Sequence, residues 1–322
     1  MTRRLARGAR LAHLLLAAVV LSACLGGAAA EPTPTAPATA APPSPTALPT
    51  RPPSTQPPAR GIQFQPAQIV QGGVTLVYLN EDASSATLRF DGRQYPMLNE
   101  NGRWWALIGV GATEEPGLHA VSITYTPSGK TTAASIVQSI AVVDREFPIE
   151  QIDLDPQTSA LLAPEIVQAE LAKRATIYSG FTSQRLWSGP FLPPGRGAIS
   201  ARYGEGRSYN GAPATDYHRG TDFIGDIGSP VAAAAAGRVA FTGALSVRGN
   251  SVIIDHGAGL FTAYHHLSEI SVLEGQLVGA GDRIGAIGST GVVTGPHLHW
   301  EVVVRGVEVD GELWLKGEAI GP

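Results

Sequence analysis

The stretch Gly295-Pro296-His297-Leu298-His299-Trp300-Glu301-Val302, continued by Val303-Val304, reads as a β-strand. Side chains alternate faces along a strand with a period of two. His297 and His299 therefore share one face, and Leu298 and Trp300 point to the other. Two imidazoles on one face suit a metal site, or a metal ligand beside a proton carrier. The plainer reading is a pair of polar residues on a solvated face. The rest of the chain decides between them.

Six of the eight histidines fall between His218 and His299. Tyr217-His218-Arg219-Gly220-Thr221-Asp222-Phe223 sets an imidazole and a carboxylate four residues apart. On a helix they would share a face, but Gly220 and Thr221 are poor helix formers, and Gly225, Gly228 and Pro230 interrupt the chain again. A loop running into a strand is expected, with both side chains turned into one site; the alternative is a surface histidine beside a turn aspartate. Gly237–Phe241, Ser251–His256, Leu260–Leu267, Gly275–Val278 and Arg283–Gly288 read as glycine-punctuated strands of an antiparallel β-domain. In Tyr264-His265-His266-Leu267 the adjacent histidines should face opposite sides of a strand, so only one of them is expected in the site.

His218-x-x-x-Asp222, Gly228-Ser229-Pro230-Val231-x-Ala233, Tyr264-x-His266-Leu267 and Gly295-Pro296-His297-Leu298-His299 follow one another in this order. Together they resemble the lysostaphin/LytM family of zinc metallopeptidases, which cut peptide bonds of bacterial peptidoglycan, over residues 191–304. The resemblance implies the family's fold, a duplicated hybrid motif, and one Zn²⁺ held by His218, Asp222 and His299. Two imidazoles and a carboxylate leave a fourth position for water, as catalytic rather than structural zinc requires. His266 and His297 match the family's two active-site histidines that are not ligands. They would take the proton of the water and stabilise the tetrahedral intermediate or protonate the leaving amine; which does which stays open. His256 reads as structural or supporting. Tyr209, Asn210 and Tyr217 are candidates to line the substrate groove. A relative that has lost its ligands and acts as a non-catalytic activator or wall-binding lipoprotein is the competing reading; all five positions are filled here.

The remaining sequence frames this domain. The net charge of −4, with no dense basic patch, argues against nucleic acid as a partner. With a single cysteine there is no internal disulfide and no cysteine zinc site. Residues 1–23 read as a lipoprotein signal: Arg3, Arg4, Arg7 and Arg10, an apolar run from Leu11 to Leu21, then Leu21-Ser22-Ala23 before Cys24. Cys24 is expected to carry the lipid, placing the protein on the extracytoplasmic face of the cell membrane. Residues 24–60 form a linker rich in Pro, Thr and Ala, with 11 prolines from 31 to 60, a composition that cannot bury a core.

Residues 61–146 alternate short apolar runs with turn signals, among them Asp91-Gly92 after Ala86–Phe90. About seven strands are expected, an immunoglobulin-like sandwich serving as a spacer, with His119 structural or exposed. Residues 147–190 form a connector containing one helix that starts at Pro164. Ile166, Val167 and Leu171 would be its buried side, Glu170 and Arg174 would pair with each other at i,i+4, and no part in catalysis is expected. The chain is therefore read as mostly β: a sandwich, a helical connector and, over 191–322, a zinc endopeptidase acting on peptidoglycan peptides.

Overall fold

The computed structural model describes residues 60–318; the expected signal, Cys24 and proline-rich linker fall outside them. The described residues belong to one compact unit. They are mostly β, with helices at Pro156–Ala160, Pro164–Tyr178 and Glu312–Leu315. Among them no helix is long and apolar enough to cross a membrane.

Residues 62–143 form a sandwich of two sheets. The four-stranded sheet runs, in spatial order, Ile62–Gln65, Val74–Leu79, Arg103–Gly109, Leu98–Glu100. The five-stranded sheet runs Gln68–Val70, Ala134–Val143, Gly117–Pro127, Ala83–Phe90, Arg93–Pro96. This exceeds the expected seven strands, because the edge pieces are three or four residues long, too short for alternation to show. Asp91 and Gly92 make the expected hairpin turn, both with positive φ (44° and 74°), and Phe90 pairs with Arg93. That mirror-image turn matches the twist of the flanking strands.

The inner faces of the sandwich meet on Val77, Leu79, Leu88, Ile108, Val121 and Ile123. The four-stranded sheet is buried on its other face too. There Leu76, Tyr78, Trp105 and Leu107 join one hydrophobic cluster with Trp187, Val304, Val307 and Trp314. Double burial explains why Val74–Leu79 is buried at every position instead of alternating. At Gly109 a Cβ would lie 2.9 Å from both Val304 Cβ and Val309 Cγ1. The sandwich, expected as a spacer, is thus packed into the core of the C-terminal domain.

The C-terminal domain is built on an antiparallel sheet. Its main path is Ile199–Ala201, Thr221–Ile224, His297–Val304, Leu260–Ile270, Gly249–Gly257, Gly237–Leu245, Leu277–Val278, with Pro230–Ala232, Arg283–Ile287 and Val307–Val309 off this path. One face is packed with Leu298, Trp300, Val302, Tyr264, Val252 and Ile254.

The connector holds more structure than expected. Asp155 caps the helix Pro156–Ala160 by accepting the N–H groups of Gln157 (2.9 Å) and Thr158 (3.0 Å), an Asp-Pro start signal that the sequence carries in plain view. The helix Pro164–Tyr178 begins where expected. Its buried residues are Glu170, Arg174 and Tyr178, whereas Ile166, Val167 and Leu171 are only half-buried. Ahead of both helices, Ile149–Ile152 pairs in parallel with Gly206–Tyr209, which pairs with Asp216–Tyr217 to complete a three-stranded sheet.

Candidate metal centre

Thr221–Ile224 pairs with His297–Val304 so that Asp222 lies opposite His299 and Ile224 opposite His297. On the other flank His265 lies opposite His299 and Ala263 opposite Glu301. Directly opposed residues share a face of the sheet. Asp222, His299 and His265 therefore stand in a row, with His297 and Glu301 two residues to either side of His299. His218 comes from the loop before Thr221, fixed by hydrogen bonds from Gly204 N to His218 O (2.8 Å) and from His218 N to Glu205 O (2.7 Å). Gly220 lets that loop pass: a Cβ there would lie 2.4 Å from Trp300 O and 2.9 Å from His299 Cε1. The loop-into-strand reading of His218-x-x-x-Asp222 holds.

His218 Nε2, Asp222 Oδ1 and His299 Nδ1 converge, separated by 3.0, 2.9 and 2.7 Å. All three residues are buried. The ring protons are assigned from the outer partners. His218 Nδ1 faces Arg202 O at 2.8 Å and His299 Nε2 faces Glu301 Oε1 at 3.1 Å, so these are the N–H groups and the inner nitrogens carry lone pairs. Two lone pairs and a carboxylate oxygen aimed at one another repel unless a cation lies between them. The donor set therefore fits a divalent metal with a position to spare. Asp222 Oδ2 lies 3.8 Å from both Arg207 Nη2 and His297 Nε2.

Among the described residues one other group has metal-like spacing: Asp91, Glu114 and His119 on the sandwich, none of them buried. Its imidazole is engaged already, with Glu115 O at 2.7 Å and Asp91 at 3.2 Å, in keeping with a structural His119.

His266 and His297 stand together at the site, ring centroids 5.0 Å apart, with His266 5.9 Å from His299. Each turns Nδ1 to a backbone carbonyl, Thr290 O at 2.7 Å and Gly295 O at 2.8 Å, which leaves Nε2 free of that bond. Of the adjacent pair only His266 lines the cavity, as expected, but simple strand alternation is not the reason. Val252 pairs with Tyr264 and Asn250 with Leu267, so two residues oppose Ser251 alone, and His266 takes φ 62°. This is a β-bulge, which re-aims a side chain by inserting one residue. His265 stacks on His299 at 5.6 Å and shares a 2.8 Å hydrogen bond with Ser251 Oγ. His256 stays apart in the core between Ala236 O (2.8 Å) and Thr262 Oγ1 (2.7 Å), a structural position.

Burial pushes the His256 pKa down to about 4 and that of His265 down to about 3. Burial, with the neighbouring His299 and His297, holds His266 well below the ordinary imidazole value. Burial also opposes the charge of His299, yet the Asp222 and Glu301 carboxylates outweigh it and its pKa rises. Asp222 is held well below the usual carboxylate range because His218 and His299 overcome its burial.

Sequence reasoning missed Glu301, although it lies two residues beyond His299 in the same period. It is fully buried. Besides His299 it binds Arg174 and, at 2.8 Å, Arg248. The expected Glu170–Arg174 pair does not form: Glu170 binds Arg248 at 3.1 Å and accepts Val247 N–H at 2.6 Å, while Arg174 turns to Glu301 and, at 3.2 Å, Glu308. Tertiary partners displace the local i,i+4 pair.

A cavity of about 490 Å³ opens over His218, Asp222 and His299, lined also by His266, His297, Tyr209, Tyr217 and, from the connector, Val167 and Leu171. Asn210 instead ties down the connector, accepting Leu154 N–H at 2.8 Å.

Residues 216–311 match Peptidase family M23, and residues 67–136 match the Peptidase family M23 N-terminal domain. Over 93 residues, 29% of this chain, the sequence is 50% identical to the peptidoglycan DD-endopeptidase ShyA of Vibrio cholerae, covering 22% of that protein. It is 45% identical over 93 residues, again 29% of this chain, to the DD-carboxypeptidase/endopeptidase Mpg of Neisseria meningitidis, covering 21% of it. The chain thus spans about a fifth of the length of these relatives. A Pseudomonas aeruginosa crystal structure named as an M23 peptidase candidate superposes with a TM-score of 0.59 at 27% identity, covering 77% of this chain and 95% of that one. The fold, the motif order and these matches agree that the chain carries a Peptidase family M23 domain behind an M23 N-terminal domain.

Proposed function

We propose that the protein is a zinc-dependent endopeptidase that hydrolyses peptide cross-links of bacterial peptidoglycan. The observation that carries this reading is the convergence of two imidazole lone pairs and one carboxylate oxygen, with His266 and His297 beside them under an open groove. His218, Asp222 and His299 would hold the ion. Bound zinc would lower the pKa of a coordinated water and polarise the scissile carbonyl.

The chain's own groups supply the remaining chemistry. With Nδ1–H given to a carbonyl, His266 and His297 each offer Nε2 as a proton acceptor. His266, kept neutral by burial, is suited to take the proton of the attacking water. His297, whose ring is partly open to solvent, is suited to carry a proton to the leaving amine. Arg174 and Arg248 keep Glu301 ionised, and Glu301 receives the N–H of His299. Relatives named as DD-endopeptidases favour the stem-peptide cross-link over a glycine bridge as the bond cut. Anchoring through lipidated Cys24, with residues 24–60 as an extended tether, would put this activity on the extracytoplasmic face of the cell membrane.

Incubating the chain with purified peptidoglycan tests the proposal. New amino termini should appear with zinc, vanish with chelator and vanish in His299→Ala. A chain that binds zinc yet releases no new amino terminus from any wall type would support a non-catalytic activator instead.

A further inference from the structure

Glu301 is enclosed by protein on every side, and an ionised carboxylate persists in such a place only when cations and donors compensate it. Its two oxygens are divided. Oε1 receives Arg248 Nε at 2.8 Å and His299 Nε2 at 3.1 Å; Oε2 is taken by Arg174 Nη2. Arg248 belongs to the C-terminal domain, but Arg174 lies on the connector helix Pro164–Tyr178, 127 residues away in sequence.

Arg174 is 1% exposed. A single nitrogen, Nη2, serves Glu301, Glu308 (3.2 Å) and Tyr178 Oη (3.3 Å). The other two, Nε and Nη1, are buried without a hydrogen-bond partner. A guanidinium held in a core with two of its three nitrogens idle is costly to keep, and what it supplies there is a cation against Glu301. Fixing Oε2 also fixes the direction of Oε1, the oxygen that sets the ring orientation of His299.

We infer that Arg174 is a positioning residue for His299, acting through Glu301, so that the connector helix is an outer part of the metal centre. The inference rests on the metal-binding reading above.

The test uses the full chain, stripped of metal. Zinc affinity is measured by competition with a chromogenic chelator, and the site geometry by the visible absorption of bound Co²⁺. Arg174→Met should lower zinc affinity by about 10- to 100-fold, the usual cost of an outer partner of a ligand histidine, and shift the Co²⁺ bands. Arg174→Lys, which keeps the cation, should recover part of the loss. In a Glu301→Gln background Arg174→Met should add no further loss, because the residue it acts through no longer carries a charge. Unchanged affinity and Co²⁺ bands with a lower melting temperature would overturn the inference and leave Arg174 a purely structural role. So would a loss of equal size in both backgrounds. Should Arg174→Met alone fail to fold, Arg174→Lys decides: a partial loss of zinc affinity with shifted Co²⁺ bands supports the inference, and affinity and bands unchanged from wild type overturn it. A wild-type chain that binds neither zinc nor cobalt would refute the metal reading itself, a result distinct from equal binding by wild type and variant.

Discussion

Two pairs of histidines are brought together by different routes. His297 and His299 sit two apart on a regular strand, so the pleat alone delivers both to one face. His265 and His266 are adjacent, and the pleat alone would separate them. A bulge opposite Ser251 turns His266 into the cavity and leaves His265 stacked behind His299, at the cost of a left-handed backbone at His266, φ 62°. The first arrangement follows from spacing within one strand. The second depends on the register of the neighbouring strand, and no reading of Tyr264–Leu267 by itself contains it.

Substitutions can break this comparison, beginning with the largest effect. His299→Ala removes a proposed ligand, so peptidoglycan cleavage should fall by more than the ~100-fold that losing an outer partner costs, and zinc binding should fall with it. His297→Ala and His266→Ala should each lower cleavage by roughly 10² to 10⁴-fold while zinc binding by the metal-free protein is retained. Loss of zinc in His266→Ala would show that the bulged pair contains a ligand.

His256 provides a buried reference away from the candidate ligands. Its pKa falls from the ordinary 6.5 to about 4 on folding, so below pH 6.5 the unfolded chain binds the proton that the folded chain refuses. Its contribution is complete above pH 6.5 and is lost as pH falls toward 4, on the order of 3 kcal/mol. Urea melts of the metal-free chain should weaken across that window, and His256→Gln should flatten the part of the dependence due to this residue.

The smallest effect isolates the bulge. His266→Asn and His266→Val both lose the imidazole, but valine resists a positive φ. Val should therefore melt lower by roughly 1–2 kcal/mol than Asn. At His297, where φ is not positive, the same two changes should show no penalty for Val relative to Asn.

The same contrast marks what the sequence made legible. The choice of His218, Asp222 and His299 as candidate ligands came from the family resemblance; what was readable because it is local is the period of two for His297 and His299 and, from the poor helix formers Gly220 and Thr221, the loop between His218 and Asp222. The Asp91-Gly92 hairpin and the helix start at Pro164 were readable for the same reason. Arg174 and Glu170 were misread because i,i+4 spacing suggests a pair that stronger tertiary partners displace, Glu301 for one and Arg248 for the other. Double burial of the four-stranded sheet was also hidden, since a continuous apolar strand such as Val74–Leu79 does not say what covers its second face.

The strand His297–Val304 begins at the groove, and its far end, Val304, rests against Gly109 of the sandwich. With Trp105, Trp187 and Trp314 enclosed in one cluster, the two sheet systems should melt as one cooperative transition in calorimetry. The amides of Val302 and Val303 should exchange with deuterium only through global opening. Cutting the sandwich away should expose the tryptophans and valines of this cluster and lower the stability of the fold that carries the candidate metal centre.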